Sequence, residues 1–403
     1  MGKFSITYEK VVVAQAELSK YLRPSPLIYS AWLSDSLGCE LYLKLENMQP
    51  IGSFKIRGAT YKISTLSSQE KKRGVIAASA GNHAQGVAWG SKKLGVDSLI
   101  VMPTTAPLVK IQNTKALGAE IVLYGNNYDE AYEMALKTAK KTKRVLIHAF
   151  EDSTIIAGQG TVGLEIVDQL PDADYIVCSV GGGGLMTGVS TVFRALRPQT
   201  RLVGCQAQNV PSMIQSIRKG KVVTLPEPSA GTFADGIAVI HASEKVRKIL
   251  ASGVDEWIGV DEDSIAAAVL TLLEKAKIVA EGSGAITLAA LEKIRKKIRK
   301  KKVVLVVSGG NIDVNVLSRI IDVGLIRAGR RVRLNVLIAD RPGSLARLTD
   351  LIGKQGSNIL QAIHDRNKPT TKFNQTEVEL TLETRGPEHS ASLIKAIENL
   401  ISL

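Results

Sequence analysis

Gly52-Ser53-Phe54-Lys55-Ile56-Arg57-Gly58-Ala59 is the stretch from which the rest of the chain is best read. One lysine stands among small and apolar neighbours, with a glycine on either side. An ammonium in such a setting loses hydration, which favours the neutral amine. A neutral amine is a nucleophile toward aldehydes, the chemistry of Schiff-base attachment. Taken by its spacing alone, the octapeptide fits an ordinary surface lysine in a loop better.

Three more stretches follow in order. Ser79-Ala80-Gly81-Asn82-His83-Ala84-Gln85-Gly86 comes after the apolar run Val75–Ala78 and before a helix-like segment reaching Leu94. A strand–loop–helix junction offers unpaired backbone N–H groups and the positive end of a helix dipole, a good place for a carboxylate. By itself it reads as a mere helix cap. Gly181-Gly182-Gly183-Gly184-Leu185 follows the apolar run Tyr175–Val180. Four glycines let backbone amides converge on a phosphate, although tight turns use such runs too. The dinucleotide pattern G-x-G-x-x-G is not completed. Ser308-Gly309-Gly310-Asn311 ends the run Val303–Val307.

Together the four stretches resemble the threonine/serine dehydratase family of fold type II pyridoxal phosphate (PLP) enzymes, and the resemblance covers essentially the whole chain. It implies an α/β fold with two parallel-sheet subdomains. It implies that Lys55 anchors PLP and moves the substrate proton, with Phe54 beside it and the Ser53 hydroxyl close to the cofactor. The loop Ser79, Ala80, Gly81, Asn82 and His83 would hold the amino-acid carboxylate. Within it Asn82 would meet the ring O3′, and His83 would hold the loop. Gly181, Gly182, Gly183, Gly184 and Leu185 would form the phosphate cup, and Ser308 would face the pyridine nitrogen. A neutral hydroxyl there restrains carbanion delocalisation and suits β-elimination. The implied reaction takes L-threonine to 2-oxobutanoate and ammonia, with L-serine giving pyruvate.

Two relatives of the same fold are alternatives, the serine racemases and the β-replacement enzymes. Racemases carry two serines before G-N-H, whereas here the second position is Ala80. They also use an acidic divalent-metal site near the segment 205–212, where this chain has Gln206 and Ser212. No divalent metal site is therefore expected, and a monovalent cation is left open. The S-F-K-I-R-G-A context argues against β-replacement. A third alternative, an amino-acid sensor on a dead scaffold, is disfavoured by the intact Lys55, Asn82, glycine run and Ser308.

Strand-like runs at Leu99–Met102, Ile121–Leu123, Val145–Ile147, Leu202–Val203 and Val303–Val307 alternate with helix-like segments such as Glu130–Lys141 and Ser264–Lys275. Ser264 is the expected N-cap of the latter. Such alternation predicts right-handed crossovers and parallel sheets. Near residue 330 the pattern changes. Val332, Leu334, Val336 and Ile338 alternate with polar residues, as do Val378, Leu380 and Leu382, while Leu345/Leu348/Ile352 and Leu393/Ile397/Leu400 mark helix faces. This predicts a small ferredoxin-like unit with an antiparallel sheet. The turn Asp340–Ser344 resembles the effector-binding turn of ACT domains, and Asn367–Gln375 reads as a loop. The expected organisation is a PLP-dependent catalytic domain (1–326), a basic linker (327–331) and an ACT-like regulatory domain (332–403). The resemblance implies an amino-acid effector, isoleucine or valine as in isoleucine biosynthesis, or a nucleotide, and a dimeric or tetrameric homo-oligomer.

The net charge of +14 raises the prospect of nucleic-acid binding. Much of it lies in Glu292–Lys302, where Leu291, Ile294 and Ile298 form one apolar stripe, so a solvated helix face is the better reading and no nucleic acid is expected. No apolar run approaches the roughly 20 residues of a membrane span. Met1–Thr7 lacks a signal-peptide core, so the cytoplasm is the expected compartment. Cys39, Cys178 and Cys205 have no metal or disulfide spacing and are expected to be reduced and mostly buried.

Overall fold

The computed structural model describes residues 4–226, 231–366 and 372–401. It forms two compact units, 1–312 and 313–403.

In the first unit, β1 (Leu27–Tyr29), β2 (Glu40–Leu45), β7 (Tyr175–Ser179), β8 (Arg201–Ala207), β9 (Glu256–Val260) and β10 (Lys302–Val307) make a six-stranded sheet in the order β1-β2-β10-β7-β8-β9. Only β1 runs antiparallel to its neighbour. A second, wholly parallel sheet has the order β5-β4-β3-β6, from β3 (Val75–Ala78), β4 (Ser98–Met102), β5 (Glu120–Leu123) and β6 (Val145–Leu146). Strands covered on both faces need continuous apolar runs. Every residue of β7 is buried, and so are Val303–Val307 of β10. The larger core joins β7, β8 and β10 to the helices Ser153–Gln169 and Gly184–Leu196. A separate core packs β3 and β4 against the helices Lys55–Ser64 and Asn82–Leu94.

The strand-like runs read from the sequence are strands here, and β1, β2, β9 and β12 (Asn358–Asp365) join them. The expected N-cap Ser264 is corrected. The helix Glu262–Thr271 is capped by Asp261, whose carboxylate accepts the Ser264 N–H at 2.8 Å and the Ser264 hydroxyl at 2.8 Å. Asp and Ser are both good caps, and the carboxylate adds a favourable charge at the helix N-terminus.

The second unit holds β11 (Arg331–Ala339), β12 and β13 (Gln375–Glu383) in an antiparallel sheet ordered β11-β13-β12. The helices Ser344–Lys354 and Pro387–Ile401 supply its core through Leu348, Ile352, Leu393 and Ile397 against Val378, Leu380 and Leu382. The alternating pattern in β11 and β13 is what a sheet covered on one face requires. This is an ACT-like arrangement. The helix Val314–Arg327, counted with the catalytic part in the sequence reading, groups with this unit, and its Asp322 pairs with Arg331. Of the expected loop Asn367–Gln375, residues 367–371 lie outside the described residues, and Gln375 opens β13.

Cys39, Cys178 and Cys205 are free and buried. No helix among the described residues is long and apolar enough to cross a membrane.

Candidate functional site

The four sequence stretches meet around the carboxyl ends of β3, β7 and β10, where parallel α/β sheets place ligands. Lys55 is the first residue of its helix. Its Nζ donates to the Ala149 carbonyl at 3.3 Å and lies 5.3 Å from the Phe54 ring centroid. Burial lowers the Lys55 amine from 10.5 to about 8, with the Glu281 charge opposing. The backbone just before it is tied to the end of β10. Phe54 N–H donates to the Ser308 carbonyl at 3.1 Å, and Ser53 forms an isolated bridge with Gly309. The Ser53 hydroxyl is buried and has no hydrogen-bond partner.

Ser308 is buried at the end of β10. Its hydroxyl donates to the Ser283 carbonyl and stands 3.1 Å from the Ser179 hydroxyl, which closes β7. Two residues beyond Ser179 the glycine run begins. Gly183 has φ +85°, a conformation that favours glycine, and opens the helix Gly184–Leu196. A Cβ on Gly182 would lie 2.3 Å from the Phe150 ring, so only glycine lets that ring lie against the loop. Helix geometry leaves the first-turn amides after Gly183 without intrahelical partners. Leu185 is buried behind the loop.

The Ser79 loop follows β3. The Ser79 hydroxyl accepts the Gly81 N–H at 3.1 Å, and Ala80 and Gly81 are half-buried. Asn82 opens its helix with its amide fixed at both ends. Its Nδ2 donates to Glu281 at 2.7 Å, and its Oδ1 accepts from Asn311 Nδ2 at 2.7 Å. His83 is buried, with Nε2 2.9 Å from the Ile147 carbonyl. Burial, reinforced by the Lys55 charge, lowers it to about 3, so the ring is neutral and its proton sits on Nε2 facing the carbonyl. His83 thus ties the loop to the residue following β6, and its Nδ1 is buried without a partner.

Sequence reasoning missed Glu281. It is buried, and its Oε1 accepts from Asn82 and from the Ser283 hydroxyl at 2.5 Å. Burial, with the Asp235 charge, raises its carboxyl to about 7, against Ser283, Asn82 and Lys110. A Cβ on Gly309 would fall 2.4 Å from Glu281 Oε1, and one on Gly236 would fall 3.2 Å from it. The short turn Asp235–Ile237 therefore walls this side and also touches Gly181. Lys110 reaches Asp235 as an ion pair from the other subdomain. An acid directly before a Gly-Ser-Gly turn, as in Ala280-Glu281-Gly282-Ser283-Gly284, is the signal that could have flagged it. Among the described residues no group of three His, Cys, Asp or Glu side chains is placed to hold a metal ion.

Residues 18–309 match the family described as pyridoxal-phosphate dependent enzymes. The chain is 47% identical over 385 residues to an L-threonine ammonia-lyase of Thermotoga maritima, which covers 95% of each. The processed form of threonine deaminase isoform 2 from Solanum lycopersicum superposes with a TM-score of 0.75 at 38% identity, over 78% of this chain and 92% of that one. Maize serine racemase superposes with a TM-score of 0.75 at 32% identity, over 80% of this chain and 99% of that one.

The residues present suit an aldehyde-bearing, phosphorylated aromatic cofactor. They offer a desolvated amine, a glycine loop at a helix N-terminus, and a buried Ser53 hydroxyl that nothing among the described residues satisfies. A buried polar group without a partner is costly, and a ligand that met the Ser53 hydroxyl beside Lys55 would remove that cost.

Proposed function

The chain belongs to the family of pyridoxal-phosphate dependent enzymes, and from that premise we propose that it is a threonine ammonia-lyase. It takes L-threonine to 2-oxobutanoate and ammonia, and L-serine to pyruvate and ammonia. The observation that carries this reading is the Lys55 amine, lowered to about 8, beside the Asn82–Glu281 pair and the end of β10.

Lys55 would hold the cofactor, with Phe54 beside its ring. The amides after Gly181–Gly184 and the packing of Leu185 would hold its phosphate, and Ser308 would face its ring nitrogen. Asn82, fixed by Glu281 and Asn311, would orient its O3′ side. Bound PLP supplies an electron sink that labilises the substrate Cα proton and lets the β-hydroxyl leave. The Lys55 amine accepts that Cα proton at Nζ, for which a base near neutrality is required. The first-turn N–H groups at the Asn82 helix start are offered to the substrate carboxylate, with Ser79, Ala80 and Gly81 shaping the loop around it, Ser53 close by and His83 keeping the loop in place. Ala80 presents a methyl group where a racemase would need a second proton donor, which favours elimination over racemisation.

The ACT-like unit is read as regulatory. Gly343 has φ +85° before the helix Ser344–Lys354, and the Ser344 hydroxyl is buried without a partner at that helix N-terminus. An amino-acid effector carboxylate, from isoleucine or valine, suits this place better than a nucleotide. A homo-oligomer in the cytoplasm completes the reading. The test is the purified protein with L-threonine. Equal yields of 2-oxobutanoate and ammonia are expected, and turnover of L-serine to D-serine without keto acid would overturn the reading.

A further inference from the structure

Behind Lys55 lies a network of buried charge that the proposed chemistry does not use. Arg57 sits two residues along the same helix and is 1% exposed. Its Nε and Nη2 donate to Glu46 at 2.7 Å each, and its Nη1 and Nη2 donate to Glu165 at 2.6 and 2.8 Å. Nη1 also reaches Thr161 at 3.1 Å. Lys44 completes the group, donating to Glu165 at 2.6 Å, to the Ser25 carbonyl at 2.7 Å and to Gln169 at 2.8 Å. The Ser25 hydroxyl donates to Glu46. Two cations thus balance two carboxylates, all of them buried.

Burying such charges costs desolvation that apolar side chains of similar volume would avoid. Stability alone is therefore a poor reason for the network. Its connectivity gives a better one. Lys44 lies on β2, Glu46 just beyond it, and Thr161, Glu165 and Gln169 on the helix Ser153–Gln169. β2 runs in register with β10, Leu45 opposite Val307, so its end is fixed relative to Ser308. The guanidinium is planar and held by two carboxylates at once, which fixes both the distance and the rotation of the helix turn that carries it. That turn begins with Lys55.

We propose that Arg57 is a positioning residue for Lys55: gripped by Glu46 and Glu165, it sets where the Lys55 amine stands relative to Ser308. The inference rests on Lys55 being the cofactor anchor. Lysine at position 57 keeps the charge but cannot hold two carboxylates in one plane, so the turn can rotate.

The test compares the parent with Arg57→Lys, Glu165→Gln and Lys55→Ala, each stripped of cofactor and checked for fold by circular dichroism and thermal unfolding. PLP is then added, and its capture is followed by absorbance and by borohydride fixation mapped to a peptide. The kcat and KM for L-threonine are measured alongside. A displacement of about 1 Å costs about 100-fold, so folded Arg57→Lys is expected to lose about that much in capture rate and kcat. Its KM should change less than about threefold, because the carboxylate loop is untouched. A folded Arg57→Lys that loses less than about tenfold in both rates, while losing thermal stability, overturns the proposal. Should Arg57→Lys not fold, Glu165→Gln keeps the shape but replaces one of the two accepting oxygens with an amide donor, which breaks the two-point grip on Arg57, and a loss of less than about tenfold in that variant overturns the proposal equally. Fixed cofactor on Lys55→Ala would instead refute the anchor assignment beneath it.

Discussion

Glu281→Gln is the substitution that isolates charge from shape in this site. The glutamine keeps an oxygen for the Asn82 amide and the Ser283 hydroxyl, which the carboxylate accepts at 2.7 and 2.5 Å. What it removes is a group raised to about 7 by burial and the Asp235 charge. Lys55 feels that group. Burial lowers the amine to about 8, and the Glu281 charge works against the lowering. The sign follows. A lysine base works when unprotonated, so the kcat limb governed by Lys55 rises with pH through its pKa. Deleting a nearby negative charge disfavours the ammonium further, lowers that pKa and moves the limb to lower pH. An opposite charge at close range in a partly screened site is worth about one pKa unit, so the limb should move by about one pH unit. The assay is kcat for L-threonine from about pH 6 to about pH 9, followed through 2-oxobutanoate. A limb that stays put or moves to higher pH refutes the electrostatic link. Loss of turnover at every pH by a folded variant would give Glu281 a direct part in proton transfer and refute it as well.

Lys55→Ala should abolish threonine turnover with the fold intact; activity within about tenfold of the parent would mean that another base does the work. Chiral analysis of unreacted L-serine should show pyruvate forming far faster than D-serine, and comparable rates would contradict the elimination bias read from Ala80. His83 is held near 3 when folded against 6.5 when free, so the unfolded chain binds more protons between those values, and stability is lost as pH falls through that window at about 1.4 kcal/mol per unit. In His83→Gln the acid-unfolding midpoint should therefore move to lower pH, and an unchanged midpoint would show that the ring does not govern acid stability. Ser344→Ala should blunt any response of kcat to isoleucine or valine while leaving kcat without effector unchanged; an unaltered titration would place the effector elsewhere.

The residues legible in the sequence share one property: their chemistry is tied to backbone geometry within a few positions. Lys55 starts a helix, the glycine run bends the chain from β7 into a helix, and Ser308 ends a strand of five consecutive apolar residues. Each is a local event, and local events leave local patterns. Glu281 is different. Its partner Asn82 is 199 residues away, and its raised carboxyl comes from burial that only the closed fold creates. Arg57 is part of the very octapeptide that reveals Lys55, yet its partners Glu46 and Glu165 lie 11 and 108 positions off, so nothing nearby distinguishes it from a solvated arginine. The same holds for β12, whose residues Asn358–Ile363 are exposed as it borders the sheet and so carry no apolar alternation to read. At the helix Glu262–Thr271 the sequence reading places the cap at Ser264, whereas the cap is Asp261, whose carboxylate accepts both the N–H and the hydroxyl of Ser264. Long-range electrostatics therefore marks the boundary of sequence reading here. The groups proposed to do the chemistry lie on the near side of it. The groups proposed to set their positions and proton affinities, Glu281 and Arg57, lie beyond.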